Sequence, residues 1–378
     1  MVIVLILLGF VLSVGITSLI IPKIILISFK KKLFDTIDER KVHTGVVPRL
    51  GGVAFTPAIL LSVGMVFGVT ALTGDFGDVE NMPAIGSSLA LSLCAMMLLY
   101  LEGVSDDLIG VGYKAKFVVQ ILSALMIVLS GVWVNDLYGL FGVYEIPKWV
   151  GMPLSVLLIV YCINAINLID GIDGLASGLS CVALFFMACI FMLIDEYIYA
   201  LIAFVTLGTL IPFFRFNVFG KADKHNKIFM GDCGSQTIGL ILGLLAVRLS
   251  MYHAEAAFHL PNALVFAFAL LIVPCLDVIR VMMGRIRRGK NPFLPDRTHI
   301  HHKFLDLGMS HRTARSTILM LAACRAYLFG AIFNLRLISS LNINLLLALN
   351  ILLWCLANLW INGLIRHHQA REAKEHAA

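Results

Sequence analysis

The stretch Val150-Gly-Met-Pro-Leu-Ser-Val-Leu-Leu-Ile-Val-Tyr-Cys-Ile-Asn164-Ala-Ile-Asn167-Leu-Ile-Asp170-Gly-Ile-Asp173-Gly174 decides how the chain is read. Its first part is apolar over nearly the length that one helix needs to cross a bilayer core, about 20 residues. Its second part places a polar side chain at every third position. Each three-residue step turns a helix by about 300°. Asn164, Asn167, Asp170 and Asp173 therefore drift around the axis instead of forming one stripe. Gly171 and Gly174 predict that the helix ends or unwinds here. Asn164 and Asn167 are then intramembrane groups facing a cavity, with Asp170 and Asp173 at its mouth. Polar side chains facing lipid are expensive, which favours this functional reading. The alternative is a polar packing seam closed by a glycine C-cap.

Working outward, the same kind of apolar run recurs along the chain. Of its 378 residues, 60% are hydrophobic and only 14% charged, against about a quarter charged in soluble domains. Mean hydropathy is +0.93. About eleven segments reach spanning length, with approximate cores 2–22, 51–72, 85–104, 115–134, 150–168, 175–194, 198–214, 236–252, 262–283, 315–334 and 341–365. The sixth and seventh are split only by Asp195 and Glu196, so ten is the competing count. The expected fold is an all-α polytopic membrane bundle: one integral-membrane domain over 1–365 and a tail over 366–378. No alternating ten-residue pattern of a β-barrel is present. The N-terminal run lacks a basic lead and a small-residue cleavage site, and reads as a retained span. The eight cysteines are scattered without a C-x-x-C pair and read as small buried hydrophobes.

Charge sets the orientation. Lys30–Lys32, Arg40, Lys41, Lys114, Lys116, Lys221, Lys224, Lys227, the Arg285–Lys290 run, Arg297, Lys303 and Arg312 all fall on one set of loops, joined by Arg366, Arg371 and Lys374. The other side holds little beyond Lys148 and Arg336. The positive-inside rule puts the basic set in the cytoplasm, the N-terminus outside and the C-terminus inside. The unusual polar clusters share that cytoplasmic side, as expected of an interfacial enzyme rather than a conduit. An outside segment, Asp136 to Trp149, has glycines and aromatics suited to a small interfacial hairpin.

Four more stretches carry candidate chemistry. Asp106 and Asp107 follow the third span; adjacent carboxylates at a membrane boundary suit a cation or proton transfer, or else simply face water at a helix end. Phe229-Met-Gly-Asp232-Cys-Gly-Ser235 precedes another span. Its glycines let backbone N–H groups approach an anion, Ser235 is placed to cap the next helix, and Asp232 suits a metal that bridges to phosphate. The plain alternative is an N-cap turn. Arg285-Ile-Arg-Arg-Gly-Lys-Asn-Pro-Phe-Leu-Pro-Asp-Arg297-Thr-His299-Ile-His301-His302 suits a sugar-phosphate or pyrophosphate. A basic anchor on anionic lipid explains its arginines but not its three histidines. No cysteine or His-x₃-His pattern supports zinc, and abundant carboxylates favour a hard cation. Arg49, before Gly51 and Gly52, either reaches a phosphate or snorkels at a span entry.

Together these motifs, in order and on one expected face, resemble the polyprenyl-phosphate N-acetylhexosamine-1-phosphate transferase superfamily. The likeness is nearest the branch that starts O-antigen, enterobacterial common antigen or wall teichoic acid synthesis with UDP-N-acetylglucosamine. Pro48-Arg49-Leu-Gly51-Gly52 stands where the muramoyl-pentapeptide branch has Thr-Pro-Thr-Met-Gly-Gly. The resemblance implies ten or eleven helices, often in a homodimer, with a cytoplasmic cleft in a bacterial inner membrane. It implies a UDP-sugar donor, undecaprenyl phosphate as acceptor, the lipid bilayer as surroundings, no nucleic-acid partner, and Mg²⁺, with Mn²⁺ as its substitute. It further implies that Asp106 accepts a proton beside Asp107, that Asp170 and Asp173 position metal or nucleotide, and that Asp232 leads the metal ligands with Asp170 as a second. Phe229 would stack on uracil, His301 and His302 would touch phosphate with His299 beside them, and Arg285 would touch the sugar. Arg49, Asn164, Asn167 and Arg297 would complete substrate binding. The rivals are a muramoyl-pentapeptide transferase, a secondary transporter, for which no internal repeat is seen, and a zinc-dependent hydrolase.

Overall fold

The computed structural model describes residues 2–34, 46–73, 82–252, 262–289, 299–334 and 342–377. It is helical almost throughout. In chain order the helices are α1 (Val2–Lys31), α2 (Phe55–Thr73), α3 (Met82–Ile109), α4 (Tyr113–Leu129), α5 (Lys148–Ile169), α6 (Leu175–Leu193), α7 (Tyr197–Val218), α8 (Gly231–Leu249), α9 (Ala263–Ala269), α10 (Ile272–Arg287), α11 (Ile300–Leu305), α12 (His311–Asn334) and α13 (Ile343–Ala377). A 3-10 turn, Gly51–Ala54, leads into α2. Two short antiparallel strands, β1 (Asp136–Leu140) and β2 (Val143–Glu145), form the hairpin expected between α4 and α5.

Among the described residues, eight helices are long and apolar enough to cross a membrane. The pair α9 and α10 passes the same test only jointly and is bent by 78°, as in a broken span or a re-entrant loop. The expected core 262–283 is thus a bent pair and not one rod. Helices α4 and α12 account for the two remaining expected segments. The first has only 17 residues, and the second carries Arg312, Arg315 and Arg325. Asp195 and Glu196 do separate two helices, α6 and α7, which supports the larger count. Nothing breaks the backbone at Arg366; α13 continues through the tail.

Helix α8 is the axle of the bundle. It is the least apolar of the candidate spans and almost wholly buried. It packs on α5, α3, α6 and the 3-10 turn, while α1 lies against α7 and α2. Close approach of α8 to α5 depends on small residues: a Cβ on Gly239 would lie 2.6 Å from the Cα of Ile163. Such packing supplies association where lipid offers little hydrophobic drive. A polar seam crosses the same contact. Asn164 donates to Gln120 at 2.7 Å, and Gln120 donates to Gln236 at 3.1 Å, so these buried amides satisfy one another.

The bundle has two chemically different ends. At one, Asn135 on the α4–β1 link exchanges hydrogen bonds with the backbone of Tyr252, and Asn344 at the start of α13 holds the hairpin through Phe141 N and Gly139 O. Phe141, Tyr144 and Trp149 are exposed there, as aromatic side chains are at a membrane–water boundary. The other end gathers the C-termini of α3 and α5, the N-termini of α4 and α8, and the short helix α11.

Candidate active site

The unwinding read from the glycines is present. Helix α5 stops at Ile169, Asp170 leaves helical geometry, and Gly174 has φ +75° before α6 begins. The turn between them is held by Asn217 of α7, whose side chain accepts from Gly174 N at 2.6 Å and donates to Ile228 O at 2.9 Å. One asparagine thereby ties the 170–174 turn to the 227–230 strand of loop. A second tie is backbone to backbone: Phe229 N donates to Pro48 O, Gly51 N to Phe229 O and Gly52 N to Met230 O, at 2.8–2.9 Å. A Cβ on Gly52 would sit 2.0 Å from Gly234 N, so the start of α8 docks against Gly52 only because it has no side chain.

The N-terminus of α8 is capped from another helix. Asp107, on α3, accepts from Asp232 N at 2.8 Å and from Cys233 N at 3.0 Å. Its carboxylate thus occupies the anion position that the first turn offers. This differs from the expectation for Ser235. That residue lies inside α8 and donates to Gly231 O, while accepting from Asn167. Asp107, assigned beside the proton acceptor by resemblance, is here an anchor between α3 and α8.

On top of this anchor sits a shared cation. Lys116 Nζ, from α4, donates to Asp106 at 2.5 Å and to Asp232 at 2.6 Å. Asp106 also accepts from Val111 N at 2.6 Å, and Asn167 donates to the other oxygen of Asp232 at 2.9 Å. Two carboxylates from different helices therefore converge on one positive centre. Among the described residues no three His, Cys, Asp or Glu side chains gather as a metal cage. Mg²⁺ is commonly held by one or two carboxylates while substrate phosphates and waters supply its other oxygens, and here two carboxylates already share one cation. The residues fit such an ion.

Asp170 and Asp173 flank the centre. Burial pushes the Asp170 carboxyl up to about 7, reinforced by Asp173 and opposed by the positive charge of Arg49. Asp173 pairs with Lys227 at 2.5 Å, and its carbonyl accepts from Arg315 at 3.0 Å. The Lys227 ammonium also lies 5.6 Å from the centre of the Phe229 ring. Arg49 is exposed beside the centre.

The histidines close one wall. His301 is 1% exposed, with neither ring nitrogen hydrogen-bonded. Burial, and then the neighbouring His302 and His299, hold its pKa down at about 3, so it is neutral near pH 7. Its ring rests on Gly171, where a Cβ would come within 2.4 Å of Cε1 and Nε2. His299 and His301 stack nearly parallel with centres 5.9 Å apart, and His302 lies 4.2 Å from His301. Arg285 is buried on the α10 face shared with Asp277 and Val281.

Most of the expected residues therefore gather at one end of the bundle: Asp106, Asp107, Asn167, Asp170, Asp173, Asp232, Phe229, Arg49 and the three histidines. Asn164 does not. It sits a turn deeper on α5 and bonds Gln120 and Val160 O, which is the packing-seam alternative. Arg297 lies outside the described residues. Sequence reasoning missed Lys116 and Lys227, which it counted only as orienting charges, and Asn217, which has no local signal. It also missed Asp277, although a lone acid within an apolar run is a signal of function.

Comparison with known proteins gives the family. The glycosyl transferase family 4 profile matches residues 89–250, which contain both ends of the Asp106–Lys116–Asp232 centre. The chain is 34% identical over 294 residues to decaprenyl-phosphate N-acetylglucosaminephosphotransferase of Mycolicibacterium smegmatis, covering 73% of this chain and 69% of the relative. It is 31% identical over 302 residues to undecaprenyl-phosphate alpha-N-acetylglucosaminyl 1-phosphate transferase of Yersinia pestis, with 79% and 77% covered. A probable undecaprenyl-phosphate N-acetylglucosaminyl 1-phosphate transferase of Bacillus subtilis is 31% identical over 332 residues, with 86% and 82% covered. With its motifs gathered at one end of a multi-span helical bundle, the chain belongs to glycosyl transferase family 4.

Proposed function

We propose that the protein transfers N-acetylglucosamine 1-phosphate from its UDP-sugar to undecaprenyl phosphate at the cytoplasmic face of a bacterial inner membrane. The single observation that carries this reading is the convergence of Asp106 and Asp232 on one cation above a capped helix N-terminus. A phosphate oxygen of the lipid attacks the β-phosphorus of the donor. The new P–O bond forms as the bond to the α-phosphate bridging oxygen breaks, and UMP leaves with that oxygen. Such a displacement needs in-line placement and charge neutralisation more than covalent protein chemistry.

Asp232 and Asp106 would hold Mg²⁺, with Asp170 beside them. When bound, the ion neutralises pyrophosphate charge and helps orient the reacting groups. Lys116 holds the two carboxylates together and presents its ammonium where donor phosphates would meet them. Asp107 keeps α8 and α3 in register, which fixes the separation of Asp106 and Asp232. Asn167 orients Asp232 from below. Phe229 presents a half-buried ring for uracil, with Lys227 beside it to meet phosphate or ribose oxygens. His301, being neutral, keeps a ring nitrogen able to accept a hydrogen bond.

The test uses purified protein, undecaprenyl phosphate, Mg²⁺ and a panel of UDP-sugars, with UMP release as the readout. UMP formation that needs both lipid and Mg²⁺, with UDP-N-acetylglucosamine the best donor, is the expected outcome. Absence of UMP from every donor, with folded protein and authentic lipid, overturns the proposal.

A further inference from the structure

Asp277 belongs to no motif used so far, yet it is among the most enclosed charged residues of the chain, at 0% exposure. It lies on α10, the second arm of the bent pair. Its carboxylate accepts from His299 Nδ1 at 2.9 Å, from Ile300 N at 3.0 and 3.2 Å, and from Arg280 at 2.6 and 3.2 Å. A buried carboxylate with that many donors is a satisfied acceptor. An ionised carboxylate only accepts, so the His299 nitrogen facing it must carry the proton. Nε2 is then the ring atom left for anything else. The Ile300 amide is the first of α11, so the same carboxylate also fixes where that helix starts.

The consequence runs through the imidazoles. His299 is stacked parallel to His301, and His301 rests on Gly171 beside Asp170. The orientation of the whole wall is therefore referred to Asp277, a residue about two dozen positions upstream on another helix. We propose that Asp277 is a positioning residue for donor recognition: through His299 it sets the tautomer and tilt of the histidine wall against the donor phosphates. This rests on the reaction proposed above. The arrangement follows the general rule that a second acceptor on one ring nitrogen decides what the other nitrogen can do.

The test is a double-mutant cycle on the full-length protein, with donor and acceptor kinetics measured separately. In Asp277→Asn the amide oxygen still receives Ile300 N, but the NH₂ group turns the requirement at Nδ1 around. The expected result is a loss on the order of 100-fold in kcat/KM for the UDP-sugar, with the KM for polyprenyl phosphate unchanged. Asp277→Asn combined with His299→Ala is expected to be no worse than His299→Ala alone. Multiplication of the two losses, or equal damage to donor and acceptor parameters, overturns the proposal. An independent reading needs no variant: ¹⁵N spectra of histidine-labelled wild-type protein should show His299 protonated at Nδ1, and an unprotonated Nδ1 overturns the inference even if Asp277→Asn fails to fold. Wild-type protein inactive with every donor would sink the proposed reaction instead, and the ¹⁵N result would still stand or fall by itself.

Discussion

Asp106, Asp232 and Lys116 make the most direct case for a site assembled from distant parts of the chain. Each carboxylate stands out in its own motif, whereas Lys116 reads in sequence as one more basic residue of a loop. Its role is visible only once α4 is placed against α3 and α8, because a lysine between two carboxylates has no local pattern. Asp232→Asn and Asp106→Asn should each lower UMP release by about 10²- to 10³-fold, the usual cost of removing one group that neutralises transition-state charge, with the thermal unfolding midpoint nearly retained. Lys116→Met should lower the midpoint as well, since it leaves two facing carboxylates without their shared partner. Asp170 makes a pH prediction. Its carboxyl is raised from the usual value near 4 to about 7. Between those values the folded protein holds a proton that the unfolded chain has lost, so this group's contribution to stability falls as pH rises through that window. If the ionised form serves the donor, kcat/KM at fixed Mg²⁺ should climb from pH 6 to 8 and flatten above. Asp170→Asn should remove that limb, and added Mg²⁺ should move its midpoint to lower pH; a midpoint insensitive to Mg²⁺ would take Asp170 off the ligand set.

At the scale of elements, the glycines separate stability from activity. Gly52 faces backbone: a Cβ there meets Gly234 N at 2.0 Å, and the 3-10 turn and α8 would have to part. Gly52→Ala should cost roughly 1–3 kcal/mol or more, seen as a lower unfolding midpoint. At Gly171 the nearest atoms belong to the His301 ring, a side chain that can tilt locally without parting two helices. Gly171→Ala should leave the midpoint close to wild type while depressing kcat/KM for the donor. Equal effects of the two substitutions on stability would contradict the geometry. The 164–174 stretch shows what local sequence can and cannot say. The end of α5 was legible because two glycines and two aspartates cannot continue an apolar helix. The divergence of Asn164 from Asn167 was not, since it depends on which neighbour, Gln120 or Asp232, lies across from each. The cap of α8 was misread for a related reason: local pattern offered Ser235, whereas Asp107 arrives from a helix more than a hundred residues earlier.

For the whole molecule, apolar runs of spanning length already gave the all-helical bundle and its approximate number of segments. Hydropathy along a sequence has no term for direction, so the 78° break between α9 and α10 was invisible to it. The proposed orientation has its own check. Tyr144→Cys, on the exposed aromatic hairpin, should react with a membrane-impermeant maleimide in intact cells, and Lys221→Cys only after permeabilisation, in a background lacking the exposed Cys94, Cys324 and Cys355. The reverse pattern would turn the molecule over in the membrane. The burial of α8 also carries a consequence for time as well as space. A helix sheathed by its neighbours is shielded from both lipid and water, and its amides can exchange hydrogen only when the surrounding bundle opens. The carboxylate at its head is thus mounted on what should be the last segment to take up deuterium.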